Sequence, residues 1–255
     1  MYSLLLSNSG STWLTVAFII VAVLIIIVSI AAFISRLVVL AKYNKFNNVE
    51  SSTGHTGFSA ARNLLDANGL SDVEVKPLTF FKAMFYGNHY NAKTNTIYLR
   101  QGIINSKSIT AVGLAIQKVG HAIQDKEDSP LFKFRSKVAP FVVFAPMLFI
   151  PITIIGIILD FLFSLGGVAA IISVILGVFL YLLAFTFTLF TIPVESRANK
   201  LAVELIEKAK ILDTNEIYAV KDLYSSYIVA YVMEFLASLL QLIKTFLQIL
   251  IKISR

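Results

Sequence analysis

The chain has 255 residues, of which 57% are hydrophobic and only 15% charged, with a mean hydropathy of +0.78. Soluble domains carry about a quarter charged residues, so this composition excludes an ordinary soluble protein and points to an integral membrane chain. The net charge of +7 fits basic residues at a lipid surface rather than nucleic-acid binding, and the absence of cysteine excludes disulfides, thiolate metal ligands and a cysteine nucleophile.

The first apolar run extends from about Trp13 to Val39, and about 20 such residues suffice to cross a bilayer. It is too long for a signal-peptide core and has no basic region before it, so it reads as a signal anchor. Arg36, Lys42 and Lys45 follow it. The positive-inside rule then puts the N-terminus outside and Lys42 onward in the cytoplasm.

Residues 42–136 read as a polar α+β segment. A helix is expected over Gly57 to Asn68, stopped by Asn68-Gly69. Short strands are expected at Val73 to Val75 and Thr94 to Leu99, the second after a turn at Asn91 to Lys93. Tyr86 and Gly87 mark a loop edge able to align an extended peptide. A further helix runs from about Ser108 to Gln124. Within it, residues 117 to 124 read Gln-Lys-Val-Gly-His-Ala-Ile-Gln. The zinc-peptidase pattern His-Glu-x-x-His needs two imidazoles one turn apart and a glutamate base. Here only the second histidine, His121, is kept. Gln117 stands at the first ligand position, and Lys118 stands at the position of the base. An ammonium cannot take a proton from zinc-bound water, and it repels a dication.

Two apolar spans follow, Val138 to Leu159 and Gly166 to Ile192, joined by a turn with Asp160, Ser164, Gly166 and Gly167. They read as a transmembrane hairpin, with kinks expected at Pro140, Pro146 and Pro151. Pro193 reads as the start of a charged helix carrying Glu195. The final stretch, Glu216 to Ile253, places Gln241, Lys244, Gln248 and Lys252 on one helix face. It reads as an amphipathic helix at the interface, with a fourth span as the alternative. Glu234 lies inside apolar sequence and needs a partner. The expected fold is thus mainly α, an integral membrane protein with four parts. They are a 1–41 anchor, a 42–136 peptidase-like cytoplasmic segment, a 137–192 hairpin, and a 193–255 cytoplasmic helix with a membrane-associated C-terminal helix.

Several blocks together resemble the YugP-type family of bacterial membrane-embedded neutral zinc metallopeptidases. They are Ala60 to Leu70 with its Asn-Gly-Leu ending, Asn88-His89-Tyr90-Asn91, Thr96 to Leu99, Val119 to Gln124, Thr191-Ile192-Pro193-Val194-Glu195, and Leu239 to Leu242. The resemblance covers most of the chain and implies a zincin-like fold in which Glu195 would be the third zinc ligand. It departs at Gln117, Lys118, Asn88 and Ser196-Arg197. The expected site is therefore a remnant pocket of His121, Glu195, Lys118, Gln117 and His89, with no catalytic residue and no cofactor. In this reading Lys118 pairs with Glu195 in place of the lost cation. The alternative is a rearranged zinc site on His121, Glu195 and His89 in an active peptidase. The plain alternatives are a hydrogen-bonded helix histidine for His121, a surface lysine for Lys118, a turn histidine satisfied by backbone groups for His89, and an early-turn helix acid for Glu195. The implied function is an inactive peptidase homologue that binds, regulates or supports other membrane proteins or itself in the bilayer. A transporter role is disfavoured by the few intramembrane charges.

Overall fold

The computed structural model describes residues 2–164 and 167–253. The elements, in order, are α1 (Tyr2–Asn47), α2 (Gly57–Ala67), β1 (Glu74–Pro77), α3 (Phe80–Phe85), β2 (His89–Asn91), β3 (Thr96–Leu99), α4 (Gln101–Ile104), α5 (Ile109–Lys126), α6 (Pro130–Phe163), α7 (Val168–Ala209) and α8 (Thr214–Ile253). The chain divides into two compact units. One comprises residues 1–40 with 226–255, and the other comprises residues 41–225.

Among the described residues, three helices are long and apolar enough to cross a membrane: Thr12–Asn47, Ile171–Ala209 and Thr214–Ile251. In α6 the stretch Ile154–Phe163 is apolar but shorter, and the side chains at 143–150 lie outside the described set. They are the middle of the predicted first arm of the hairpin, and Gly166 of its predicted turn also lies outside the described residues. Helix α8 runs unbroken and meets the length and apolarity of a span.

Within the smaller unit, Glu234 of α8 finds its partner. Arg36 of α1 donates from Nε to Glu234 Oε1 at 2.9 Å, and Nη2 reaches the same oxygen at 2.9 Å. A carboxylate among apolar side chains is costly unless neutralised, which the guanidinium does. Glu234→Ala is expected to lower the thermal stability of the chain in nanodiscs. The charge swap Arg36→Glu with Glu234→Arg is expected to recover most of the loss. A Glu234→Ala variant as stable as the wild type would show that the pair contributes nothing.

In the larger unit, α2 begins with a reciprocal cap. The Thr56 side chain accepts from Ser59 N at 3.1 Å, and Ser59 Oγ accepts from Thr56 N at 2.9 Å. Such a cap satisfies two N-terminal amides that the helix itself leaves open. Its buried residues Ala60, Ala61, Leu64 and Leu65 recur at one-turn spacing and face α5. The helix stops as the sequence predicts, with Gly69 at φ +65°.

The sheet has the order β1-β3-β2, with β1 parallel and β2 antiparallel to β3. Strand β1 lies slightly later than its predicted Val73–Val75 span. Strand β2 and helix α3 were not among the predicted elements. Both are short, and their residues carry no periodicity long enough to read. Asn91, expected in the turn, ends β2, and Asn95 takes the left-handed turn conformation at φ +49°.

Helix α5 is buried along almost its whole length. Its N-cap Ser108 accepts from Ala111 N at 3.1 Å. Two glycines let neighbouring helices approach. A Cβ on Gly113 would meet Val220 Cγ2 of α8 at 3.0 Å, and one on Gly120 would meet the Ala198 carbonyl oxygen of α7 at 2.7 Å. The second obstacle is backbone, so it cannot rotate away. Gly120→Ala is expected to destabilise this unit by about 1–3 kcal/mol through overpacking. Gly102→Ala, which meets no atom within 4 Å, is expected to be near neutral. Thermal unfolding of the two variants side by side checks this, and equal midpoints would refute the close approach.

Helix α6 runs without interruption through Pro140, Pro146 and Pro151. One predicted feature is corrected. Pro193 does not start a helix but lies inside α7. Each internal proline removes a single backbone bond, and a long helix packed on its neighbour has enough remaining contacts to continue. The hairpin turn uses Ser164 (φ +49°) and Gly167 (φ +88°). Asp160 Oδ1 caps the start of α7 by accepting from Ala169 N at 3.0 Å. Helix α7 thereby returns antiparallel along α6 and delivers its lower half, residues 191–199, to the face of α5.

Candidate functional site

Because Gly120 packs on Ala198, the face of α5 bearing Gln117, His121 and Gln124 sits directly against α7. Gln124 Nε2 donates to the Val194 carbonyl at 2.9 Å. That bond leaves Gln124 Oε1 facing His121 Nδ1 at 2.9 Å. The other ring nitrogen, Nε2, faces Glu195 Oε1 at 3.4 Å. This contact has ion-pair distance but not hydrogen-bond geometry, and His121 Nε2 is a buried nitrogen with no hydrogen-bond partner. The ring is stacked on Phe132, with centroids 5.7 Å apart.

Glu195 is the hub. Its Oε1 accepts from Arg135 Nη2 of α6 at 2.6 Å, and its Oε2 accepts from Gln117 Nε2 at 3.1 Å. Gln117 Nε2 also donates to Asn199 Oδ1 at 2.6 Å, and its Oε1 accepts from Lys118 Nζ at 2.8 Å. Arg135 further approaches Thr191 Oγ1 at 3.4 Å and lies over the Phe187 ring. The cluster is therefore one connected network drawn from α5, α6 and α7.

Gln117, Lys118, His121 and Glu195 are between 3 and 8% exposed. No substrate atom reaches them without side-chain displacement. Burial pushes the Lys118 ammonium toward the neutral form, with the Glu195 charge opposing part of that shift and Arg135 adding to it. Burial likewise lowers His121, again against the pull of Glu195. A cleft of about 640 Å³, lined by Ser52, Thr53, Glu207, Lys210 and neighbouring residues, shares no residue with the cluster.

The structure brings together four of the five predicted residues: His121, Glu195, Gln117 and Lys118. Their pairing differs from expectation. Lys118 makes no ion pair with Glu195 within 4 Å; it bonds to Gln117, and Arg135 takes the carboxylate. Sequence reasoning missed Arg135, Asn199 and Gln124. Gln124 lies one turn beyond His121, a spacing that could have marked it as the histidine's support. Nothing in local sequence links Arg135 or Asn199 to the site.

His89 is not part of this network. Its Nδ1 faces the Gly87 carbonyl at 2.9 Å, and its ring stacks on Tyr98, with centroids 5.2 Å apart. It is close enough to Lys118 to feel its charge, although burial is the larger cause of its lowered pKa. The strand that carries it is tied to α5 by Tyr90, whose hydroxyl lies 2.9 Å from Asp125 Oδ2 and from Asn95 Oδ1.

A zinc ion needs three protein ligands offering lone pairs, usually His, Cys or carboxylate. Among the described residues, no group of three or more such side chains is placed to hold a metal. His121 Nε2 and Glu195 supply two. The third direction is filled by an amide NH₂, a donor rather than a ligand, with an ammonium bonded behind it. This donor set does not fit a zinc ion.

A helix holding the second half of a His-Glu-x-x-His motif, a glutamate on a following helix, a small sheet beside them and membrane-length helices together define a zinc-metallopeptidase-like membrane protein. A family model described as "Putative neutral zinc metallopeptidase" matches residues 18–250, and the chain belongs to that family. It is 32% identical over 229 residues to a Bacillus subtilis (strain 168) protein named "Putative membrane protease YugP", covering 87% of this chain and 94% of that protein. No solved structure matches the chain.

Proposed function

We propose that this chain is a catalytically silent member of the family. It keeps the peptidase scaffold in the membrane as a binding, regulatory or structural subunit for other membrane proteins or for further copies of itself. The observation that carries this reading is the Gln117 amide seated on Glu195 Oε2, with Lys118 bonded to its other end. Hydrolysis in this class needs a metal-bound water and a base to deprotonate it. Here the position of the base is a lysine, and the carboxylate that would bind metal is already satisfied by a guanidinium and an amide. The carboxylate beside the surviving imidazole, Glu195, is buried and bonded at both oxygens.

In this reading the N-terminus is outside and the segment holding the network is cytoplasmic. The chain is multi-pass, with α6 and α7 forming a hairpin that opens to the cytoplasm. A membrane-impermeant maleimide should then label Lys93→Cys only after the cells are opened. Labelling of intact cells would reverse the orientation.

The direct test is metal analysis and peptide hydrolysis on protein purified without chelator. Neither stoichiometric zinc nor cleavage is expected. Bound zinc together with proteolysis that His121→Ala or Glu195→Ala abolishes would replace this reading with that of an active enzyme on a rearranged site.

A further inference from the structure

Helix α3 has no buried residue. Phe80, Phe81, Met84 and Phe85 are 77, 76, 65 and 45% exposed, respectively. Such a dense apolar cluster on so short an element marks an interaction surface rather than a fold contact. Two cations flank it. Lys82 lies on the helix itself, with Nζ 5.5 Å from the Tyr98 ring centroid. Arg100 is held against the helix by a bond from Nη2 to the Ala83 carbonyl at 3.1 Å. Among the described residues neither cation has a carboxylate within 4 Å, unlike the nearby Lys76, which is paired with Glu74.

The position of the cluster matters as much as its composition. Strand β2 begins four residues after α3, and its Tyr90 packs on Phe132 near the start of α6, with centroids 6.1 Å apart. Helix α6 packs along α7, whose apolar stretch is long enough to span a bilayer. The aromatic cluster thus belongs to the same compact unit as the hairpin and is joined to the foot of that hairpin.

We propose that α3 is an interfacial foot that inserts Phe80, Phe81 and Met84 into the boundary between lipid headgroups and acyl chains, with Lys82 and Arg100 on the phosphates of anionic lipids. Aromatic residues beside unpaired cations match both phases of that boundary: rings enter the apolar layer while long basic side chains reach back to the headgroups. A peptide groove or protein partner would supply the apolar contact but gives no reason for two cations without acids. The foot would hold the sheet and the outer side of the network at a fixed height against the bilayer. This holds whether or not the buried cluster cuts peptides.

The chain contains no cysteine, so a single introduced thiol reports one position. Phe81→Cys and, separately, Met84→Cys would carry an environment-sensitive nitrobenzoxadiazole probe on the full chain reconstituted in phosphatidylcholine vesicles with phosphatidylglycerol. Thr94→Cys serves as the polar control and Ile175→Cys as the membrane control. The probe at 81 or 84 is expected to shift to the blue and to be quenched by lipid spin-labelled near the headgroup, while the probe at 94 stays in water. Lys82→Gln and Arg100→Gln, added to either probe, should each weaken insertion by about fivefold in anionic vesicles. Probes at 81 and 84 as unquenched as that at 94, with 175 quenched, would overturn the proposal. So would probes shielded from lipid that cross-link between chains, because the surface would then belong to a second copy.

Discussion

Glu195→Ala is expected to destabilise the larger unit by about 3–5 kcal/mol, the cost of leaving a partly buried cation without its partner. Glu195 is 3% exposed and directly meets both Arg135 and Gln117. Removing it strands the guanidinium, frees one donor of the Gln117 amide and leaves Lys118 in the low-dielectric interior with no acid to offset its charge. The Arg135 side chain is 21% exposed, so some of its loss is made up by water, which argues for the lower end of that range. Denaturant or thermal unfolding in nanodiscs gives the measurement. Arg135→Met in the Glu195→Ala background should recover part of the loss, since the unpaired charge is removed with its partner. The exposed pair of Arg197 and Glu127 is the control, and Glu127→Ala should cost less than about 1 kcal/mol. A Glu195→Ala variant no less stable than Glu127→Ala would show that the network does not support the fold.

Gln117→His combined with Lys118→Glu should give a chain that retains stoichiometric zinc through purification. The geometry explains why two changes are enough. His121 Nε2 already faces the carboxylate with no hydrogen-bond partner, and Gln124 already holds Nδ1. Glu195 Oε1 is occupied by Arg135, but Oε2 is held only by the Gln117 amide, which the substitution removes. A histidine at 117, one helical turn from His121, restores the second imidazole. A glutamate at 118 replaces a positive charge that opposes a dication. Either single variant should bind zinc more weakly than the double. Metal content by mass spectrometry and titration with zinc are the readouts, with His121→Ala in the double variant as the control that abolishes binding. A double variant that folds, as judged by thermal unfolding, yet takes up no zinc would mean that the pocket differs from a zinc site in more than these two residues.

Much of this protein is readable from residue order, because the relevant physics is local. Apolar runs of bilayer length mark the first candidate span and the second arm of the hairpin before any contact is known. The helix expected from about Ser108 to Gln124 is α5, Ile109–Lys126. The substitutions at Gln117 and Lys118 are facts of residue type, and they alone remove an imidazole and a carboxylate from the motif. His121 and Glu195 could be placed together only through resemblance, because 74 positions separate them in the chain.

What needed the folded molecule was the assignment of partners. Lys118 turns to the amide beside it, while Arg135, from a helix with no motif, takes the carboxylate. Arg36 neutralises Glu234 across 198 residues. His89 turns to its own turn carbonyl and to Tyr98. None of these pairings is encoded by spacing, since a long charged side chain can reach several neighbours. Which one it meets depends on how closely the helices approach, and for α5 and α7 that distance is set by Gly120 against the Ala198 carbonyl. Local sequence marked the long apolar helices and the chemistry missing from the motif. Tertiary packing decided where each remaining charge is neutralised, because Coulomb attraction and hydrogen bonding act through space rather than along the chain.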